Sequence, residues 1–169
     1  MAGYLFDTSV LIALVDARNR FNGAANDALA AMQVNDLQFV SSISVGEIYT
    51  GIETNFRVRG VRPPNAQQTL ALAQARSLLT VNEHVAQAYG SLKAAMVTRY
   101  MPNTNRSQRG HFLENWIDQA TGLRLGVNEN DLWICSQALE RDIFVVSTDG
   151  DFERIREAEA RLKLLLLKG

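Results

Sequence analysis

The chain has 169 residues, a formal net charge of −1, 47% hydrophobic and 21% charged residues. That is enough chain to bury a substantial core, and the balance is ordinary for a globular protein. It excludes binding to nucleic acid through bulk positive charge, so such a partner would need local basic patches or bound metal ions. The lone cysteine, Cys135, excludes an internal disulfide, which suits a reducing compartment. Within Leu132-Trp133-Ile134-Cys135 it reads as a small core residue rather than a nucleophile. No stretch has the length and apolarity of a membrane span, and the N-terminus lacks the pattern of a secretory signal. A cytoplasmic protein with no membrane partner is expected.

In chain order, residues 4–6 read as a short strand, and 9–17 as a helix with Val10, Leu11, Leu14 and Val15 on one side. Residues 19–32 are alanine-rich and helical in pattern. Leu37 to Val40 is a second strand, followed by a helix through Glu47. Pro63-Pro64 breaks the chain, and Asn65 can cap a helix over 66–77. Residues 78–81 form a weak strand, and Asn82 caps a helix over 83–100. Residues 101–110 are irregular; 111–120 carries Phe112, Leu113, Trp116 and Ile117 at helical spacing. A helix opens at Asn128 and runs to about Arg141. Ile143 to Val146 is the clearest strand, and a helix over 152–160 precedes a last strand at 162–167. Strands alternating with helices imply a parallel α/β sheet with right-handed crossovers.

Four acidic residues stand at element junctions: Asp7 after the first strand, Glu47 near the start of the helix after the second, Asp131 at the start of the helix before the strong strand, and Asp149 after that strand, with Asp151 close behind. Each has a structural alternative. Asp7 or Thr8 can N-cap a helix, and Ser44 with Glu47 has capping-box spacing. Thr8 or Ser9 can serve as the cap, leaving the Asp7 carboxylate free. In a parallel sheet, strand ends and the starts of following helices share one edge, where ligands bind. Carboxylates gathered there repel one another and take up protons unless a cation compensates. Oxygen donors without His or Cys favour Mg²⁺ or Mn²⁺ over zinc. The two histidines lie outside these motifs: His84 reads as a solvated first-turn residue and His111 as a loop or helix start. Such a metal site suits phosphoryl chemistry, in which the metal activates water and no side-chain nucleophile is needed.

The matching segments are residues 4–12 (Tyr4-Leu5-Phe6-Asp7-Thr8-Ser9 and onward), 43–52 around Glu47, 130–139 around Asp131 and 144–152 around Asp149. In this order they resemble the PIN-domain family, and within it the VapC-like ribonuclease toxins of toxin–antitoxin pairs. Residues 79–92 resemble that family's connector into its central helix. The resemblance implies an α/β/α three-layer sandwich with a central, mostly parallel sheet of four to five strands, formed by one domain over 1–169 with a longer segment at about 100–127. It implies that Asp7, Glu47, Asp131 and Asp149 are the catalytic, metal-binding quartet, with Asp151 an accessory metal ligand. Thr8 and Thr148 would orient carboxylates or water. The implied activity is Mg²⁺- or Mn²⁺-dependent hydrolysis of RNA, with a small antitoxin as partner and a homodimer as the assembly.

The long segment carries Arg99, Arg106, Arg109 and Arg124, and residues 54–75 add Arg57, Arg59 and Arg62. They read either as RNA phosphate contacts or as ordinary solvated charges. Trp133 reads as a core residue or a base-stacking platform. A phosphatase with an aspartyl nucleophile needs a second Asp two residues after the first; Ser9 stands there, which sets that chemistry aside. A non-enzymatic alternative is a PIN-like partner-binding module.

Overall fold

The computed structural model describes all residues except Arg106, Gln108 and His111. Five short strands, β1 (Gly3–Phe6), β2 (Leu37–Ser41), β3 (Ser77–Leu79), β4 (Phe144–Ser147) and β5 (Lys163–Leu166), form one sheet in the order β3-β2-β1-β4-β5. Every pairing is parallel. Seven α-helices connect them: α1 (Thr8–Val15), α2 (Asn22–Ala30), α3 (Ser42–Arg59), α4 (Pro64–Gln74), α5 (Glu83–Tyr100), α6 (Glu129–Arg141) and α7 (Asp151–Ala158).

Alternation along the strands sorts side chains between two cores, because successive residues point to opposite faces. Leu5 and Val145 face a core built with Leu92, Met96, Leu132, Ile134, Phe152 and Ile155 of α5, α6 and α7. Phe6 and Val146 face a second core with Val10, Ala25, Ile48 and Ala73 of α1 to α4. This is the expected α/β/α sandwich. Buried side chains such as Leu132 and Phe6 each contribute about 1.5–3 kcal/mol relative to exposure. Cys135 is buried and free, as its apolar neighbourhood predicts.

The strand order places the site. The chain winds outward from β1 through β2 to β3, then returns to the other side of β1 for β4 and β5. The direction reverses between β1 and β4, and the crevice at the carboxyl ends of two such strands is the ligand position of open α/β sheets. Asp7 directly follows β1, and Asp149 follows β4 after one intervening residue.

Three local expectations are corrected. The helix predicted over 111–120 is a single 3-10 turn, Leu113–Asn115, followed by an antiparallel bridge between Ile117 and Arg124. Trp116 is buried and donates its indole N–H to the Gly110 carbonyl at 2.8 Å, while Asp118 accepts from the Ala120 amide and the Thr121 hydroxyl. These local bonds hold the segment in turns, and its apolar residues anchor a loop rather than a helix face. Asn65 does not cap α4: the helix starts at Pro64, with Pro63 as N-cap, where a missing N–H costs nothing. The alanine-rich helix is also shorter than its pattern, because Asn19 and Phe21 close a turn before it. Elsewhere the caps are as expected, with Asn82 accepting from the Val85 amide and Asn128 opening α6.

Candidate active site

Asp7 is 5% exposed at the β1–α1 junction. Its amide donates to the Val146 carbonyl at 3.0 Å, which extends the β1–β4 ladder by one residue. Its carboxylate caps α1, accepting from the Thr8 amide at 2.7 Å and the Ser9 amide at 3.4 Å. The hydroxyls of Ser9 and Ser147 donate to the same carboxylate at 2.6 and 3.0 Å. The expected division of labour, with Thr8 or Ser9 as cap and Asp7 free, is therefore corrected. The carboxylate is the only side-chain acceptor at the junction close enough to the α1 amides, so one group caps the helix and faces the crevice.

Glu47 lies in the second turn of α3. The capping box with Ser44 is absent, because the helix begins earlier: Ser41 is the N-cap and accepts from the Ile43 amide at 3.0 Å. Glu47 instead accepts from the Thr8 hydroxyl and, at 2.7 Å, from the Asn130 side-chain amide. Asp131 occupies the first turn of α6 and completes a capping box with Asn128, accepting from its amide at 3.1 Å. Asp149 accepts from the Asp151 amide at 2.9 Å. Asp151 opens α7 and pairs with Arg154 at 3.7 Å.

These carboxylates feel one another. Burial pushes Asp131 up to about 8, with Asp7, Asp149 and Glu47 adding to the rise and the Asn128 amide opposing it. Burial also raises Asp7, against the hydrogen bonds from Ser9, Ser147 and Thr8, and Glu47 raises it further. Asp151 is raised by burial and by Asp149. Residues from four separate segments thus share one negative field. Without added positive charge, a carboxyl of the group holds a proton near neutral pH.

Whether a metal suits these donors follows from their chemistry. All are oxygen donors, and among the described residues no three His, Cys, Asp or Glu side chains are grouped closely enough to chelate one ion unaided. A hard cation that retains waters and takes one or two carboxylates plus substrate oxygens fits such a set. Zinc, which prefers a tetrahedron of nitrogen and sulfur ligands, does not.

The remaining candidates divide. The Thr8 hydroxyl orients Glu47, whereas Thr148 contributes its backbone N–H to the Ser9 hydroxyl at 3.2 Å. Arg99 pairs with Glu157 at 3.9 Å and lies over Tyr100, so it serves the α5–α7 contact. Arg109 lines a cavity of about 640 Å³ with Lys93 and Trp116, its Nε buried without a partner. Arg124 is exposed, and its carbonyl accepts from Arg154 at 3.2 Å. Arg106 and His111 lie outside the described residues; His84 is exposed. Arg57 and Arg62 both approach Glu53. Trp133 is half-buried and stacks on Tyr89, ring centroids 3.8 Å apart. Three residues escaped the sequence reading: Ser9, Ser147 and Asn130, the donors that hold Asp7 and Glu47. Ser147 had a signal, a polar residue ending an otherwise apolar strand.

The model of the PIN domain matches residues 4–158. The chain belongs to the PIN domain family. The match runs from β1 to the end of α7 and takes in every carboxylate above. In fold the chain is similar to the crystal structure of VapBC2 from Rickettsia felis bound to a DNA fragment from their promoter, with TM-score 0.64 and 17% identity over 98% of this chain and 99% of that one. It is also similar to VapBC-1 from nontypeable Haemophilus influenzae, TM-score 0.60 and 20% identity over 97% of each chain. A third is VapC20 from Mycobacterium tuberculosis, described as a Sarcin-Ricin loop cleaving toxin, with TM-score 0.55 and 19% identity over 89% of this chain and 92% of that one. No curated protein matches the chain. Among the described residues, no helix of this PIN protein is long and apolar enough to cross a membrane.

Proposed function

We propose that this PIN-domain chain is a Mg²⁺- or Mn²⁺-dependent endoribonuclease, the toxin of a toxin–antitoxin pair. It is one functional unit over residues 1–169, with the segment at about 100–127 as an elaboration. It acts in the cytoplasm as a homodimer held in check by a small antitoxin. The observation that carries the proposal is the shared field of Asp7, Glu47, Asp131 and Asp149 at the sheet's switch point, strong enough to push Asp131 to about 8. Membership of the PIN family and the fold likeness to VapBC structures support the toxin role.

In this function Asp7, Glu47, Asp131 and Asp149 hold the cation, with Asp151 available to a second. When bound, the divalent ion supplies an activated water and stabilises negative charge on the phosphate in flight. The protein's own part is orientation. Ser9 and Ser147 fix the Asp7 oxygens, Thr8 and Asn130 fix Glu47, and the first turn of α6 holds Asp131. Such outer donors commonly set metal affinity as strongly as the ligands do.

The alternative, a PIN-like binding module without catalysis, predicts no response to metal. Thermal melting with and without Mn²⁺ separates the two, since a ligand that binds only the folded state raises its stability. A rise in melting temperature that Asp131→Asn abolishes, together with RNA cleavage by the parent, supports the nuclease. A melt indifferent to Mn²⁺ rejects it.

A further inference from the structure

Ser9 and Thr148 have a second neighbourhood. With Ile12, Asn19, Arg20 and Phe21 they line an open cavity of about 570 Å³, within the range of small-ligand pockets, about 300–1,000 Å³. A separate hollow of about 540 Å³ includes Thr8, Glu47 and Asn130. The two share no lining residue. They meet at consecutive residues, Thr8 and Ser9, both bonded to Asp7.

Arg20 gives the first cavity its chemistry. Its guanidinium lies 4.5 Å from the Phe21 ring centroid, and among the described residues it has no acidic partner. The nearby Asp16 is taken by Arg18 at 3.6 Å. The loop is shaped by its own bonds: Asn19 donates its amide to the Asp16 carbonyl and accepts from the Phe21 amide, both at 2.9 Å. Ile12 is 44% exposed, although it sits on a helix whose neighbours Leu11 and Ala13 are fully buried. The cavity therefore offers one uncompensated cation backed by an aromatic ring, an apolar side chain open to solvent, and direct continuity with the residues that hold Asp7.

We infer that this shelf is a substrate subsite for the nucleotide next to the scissile phosphate, its own phosphate on Arg20 and its base against Ile12. The inference rests on the ribonuclease function proposed above. Electrostatics supplies the need: a cluster of carboxylates repels the phosphates flanking the one being cleaved, and a cation at the same edge offsets that repulsion. Arginine is suited to the role, because its planar fork matches phosphate oxygens. The alternation of cation and apolar surface matches a single-stranded nucleotide, whose unstacked base needs a partner. An acidic peptide would satisfy Arg20 but leave Ile12 without use.

Steady-state cleavage of a random-sequence pool of single-stranded oligoribonucleotides with Mn²⁺, over a series of KCl concentrations, tests the inference with the parent, Arg20→Gln and Arg20→Lys. Arg20→Gln is expected to raise KM about tenfold at unchanged kcat, the scale of one charge-assisted contact. The slope of log KM against log salt should fall by about 0.7, one phosphate contact on a single strand. Arg20→Lys should keep the slope and recover part of the KM. If the parent cleaves the pool and Arg20→Gln matches it in KM and slope, the subsite is wrong and the nuclease stands. A fall in kcat at constant KM also overturns it, since that marks a structural role. A parent that neither binds nor cleaves the pool overturns both. If Arg20→Gln instead loses binding of a glutamate-rich peptide while its RNA kinetics are unchanged, the shelf belongs to a protein partner and the inference fails.

Discussion

Ser147, the last residue of β4, donates its hydroxyl to the Asp7 carboxylate at 3.0 Å, across the point where the sheet reverses direction. The same hydroxyl oxygen accepts from the Asp149 amide at 3.0 Å. One buried serine thus ties two of the candidate metal ligands to a single position. Ser147→Ala removes a donor from a buried carboxylate, and bonds to charged groups contribute about 1.5–3 kcal/mol. The variant should lose stability of that order by urea unfolding, with the greater loss at high pH, where Asp7 is ionised. Ser147→Thr, which retains a hydroxyl, should recover part of it. Equal stability of Ser147→Ala and the parent would remove this tie from the account.

Asn130 sets Glu47 in a comparable way, from the first turn of α6 across to α3. Asn130→Ala leaves the metal ligands intact but frees Glu47 to move. The expected outcome is a roughly 10–100-fold loss in metal affinity or activity, the usual effect of removing a group that orients a ligand. It is read as the Mn²⁺ concentration that half-saturates cleavage. An unchanged Mn²⁺ titration would show that Glu47 is held well enough by Thr8 alone.

Asp131 gives a pH dependence of definite sign. Its pKa rises from the usual 3.8 to about 8 in the folded protein, so the folded state binds the proton that the unfolded state releases. The stability this contributes is complete below about pH 4 and is lost as pH rises through about 8, with a slope of up to about 1.4 kcal/mol per pH unit. Metal-free protein in EDTA should therefore weaken steadily across that window. Asp131→Asn should flatten the profile and be the more stable protein at pH 8. Parallel urea profiles for parent and variant would contradict the shared field.

Trp133 tests whether an aromatic beside the site serves packing or RNA. Its ring is stacked on Tyr89, whose hydroxyl meets Glu129, and Lys93 bridges both at 2.7 and 2.6 Å. Trp133→Ala should cost about 2–3 kcal/mol, less than the loss typical of a fully buried aromatic. Its KM for RNA should match the parent's at a temperature where both are folded. A raised KM with unchanged stability would return Trp133 to base stacking.

The four junction carboxylates were legible because each sits where an apolar run or helix pattern begins or ends, and periodicity reports such boundaries well. Their supports were not. Ser147 reaches Asp7 only because Phe6 pairs with Val146, and strand register is a tertiary property. Asn130 reaches Glu47 because α3 and α6 pack together, which local spacing does not encode. Apolar spacing also suggested a helix at 111–120, where Gly110, Asp118 and buried Trp116 make turns. Arg99 looked available to RNA until the fold brought Glu157 beside it.

The central claim is that these carboxylates form one metal-dependent catalytic group. Cleavage of total cellular RNA by purified parent and Asp131→Asn, each with Mn²⁺ and with EDTA, tests it most directly, with circular dichroism to verify that both are folded. The account predicts discrete cleavage by the parent with Mn²⁺, none in EDTA, and none by folded Asp131→Asn. Cleavage by Asp131→Asn at the parent rate, or by the parent in EDTA, would contradict it.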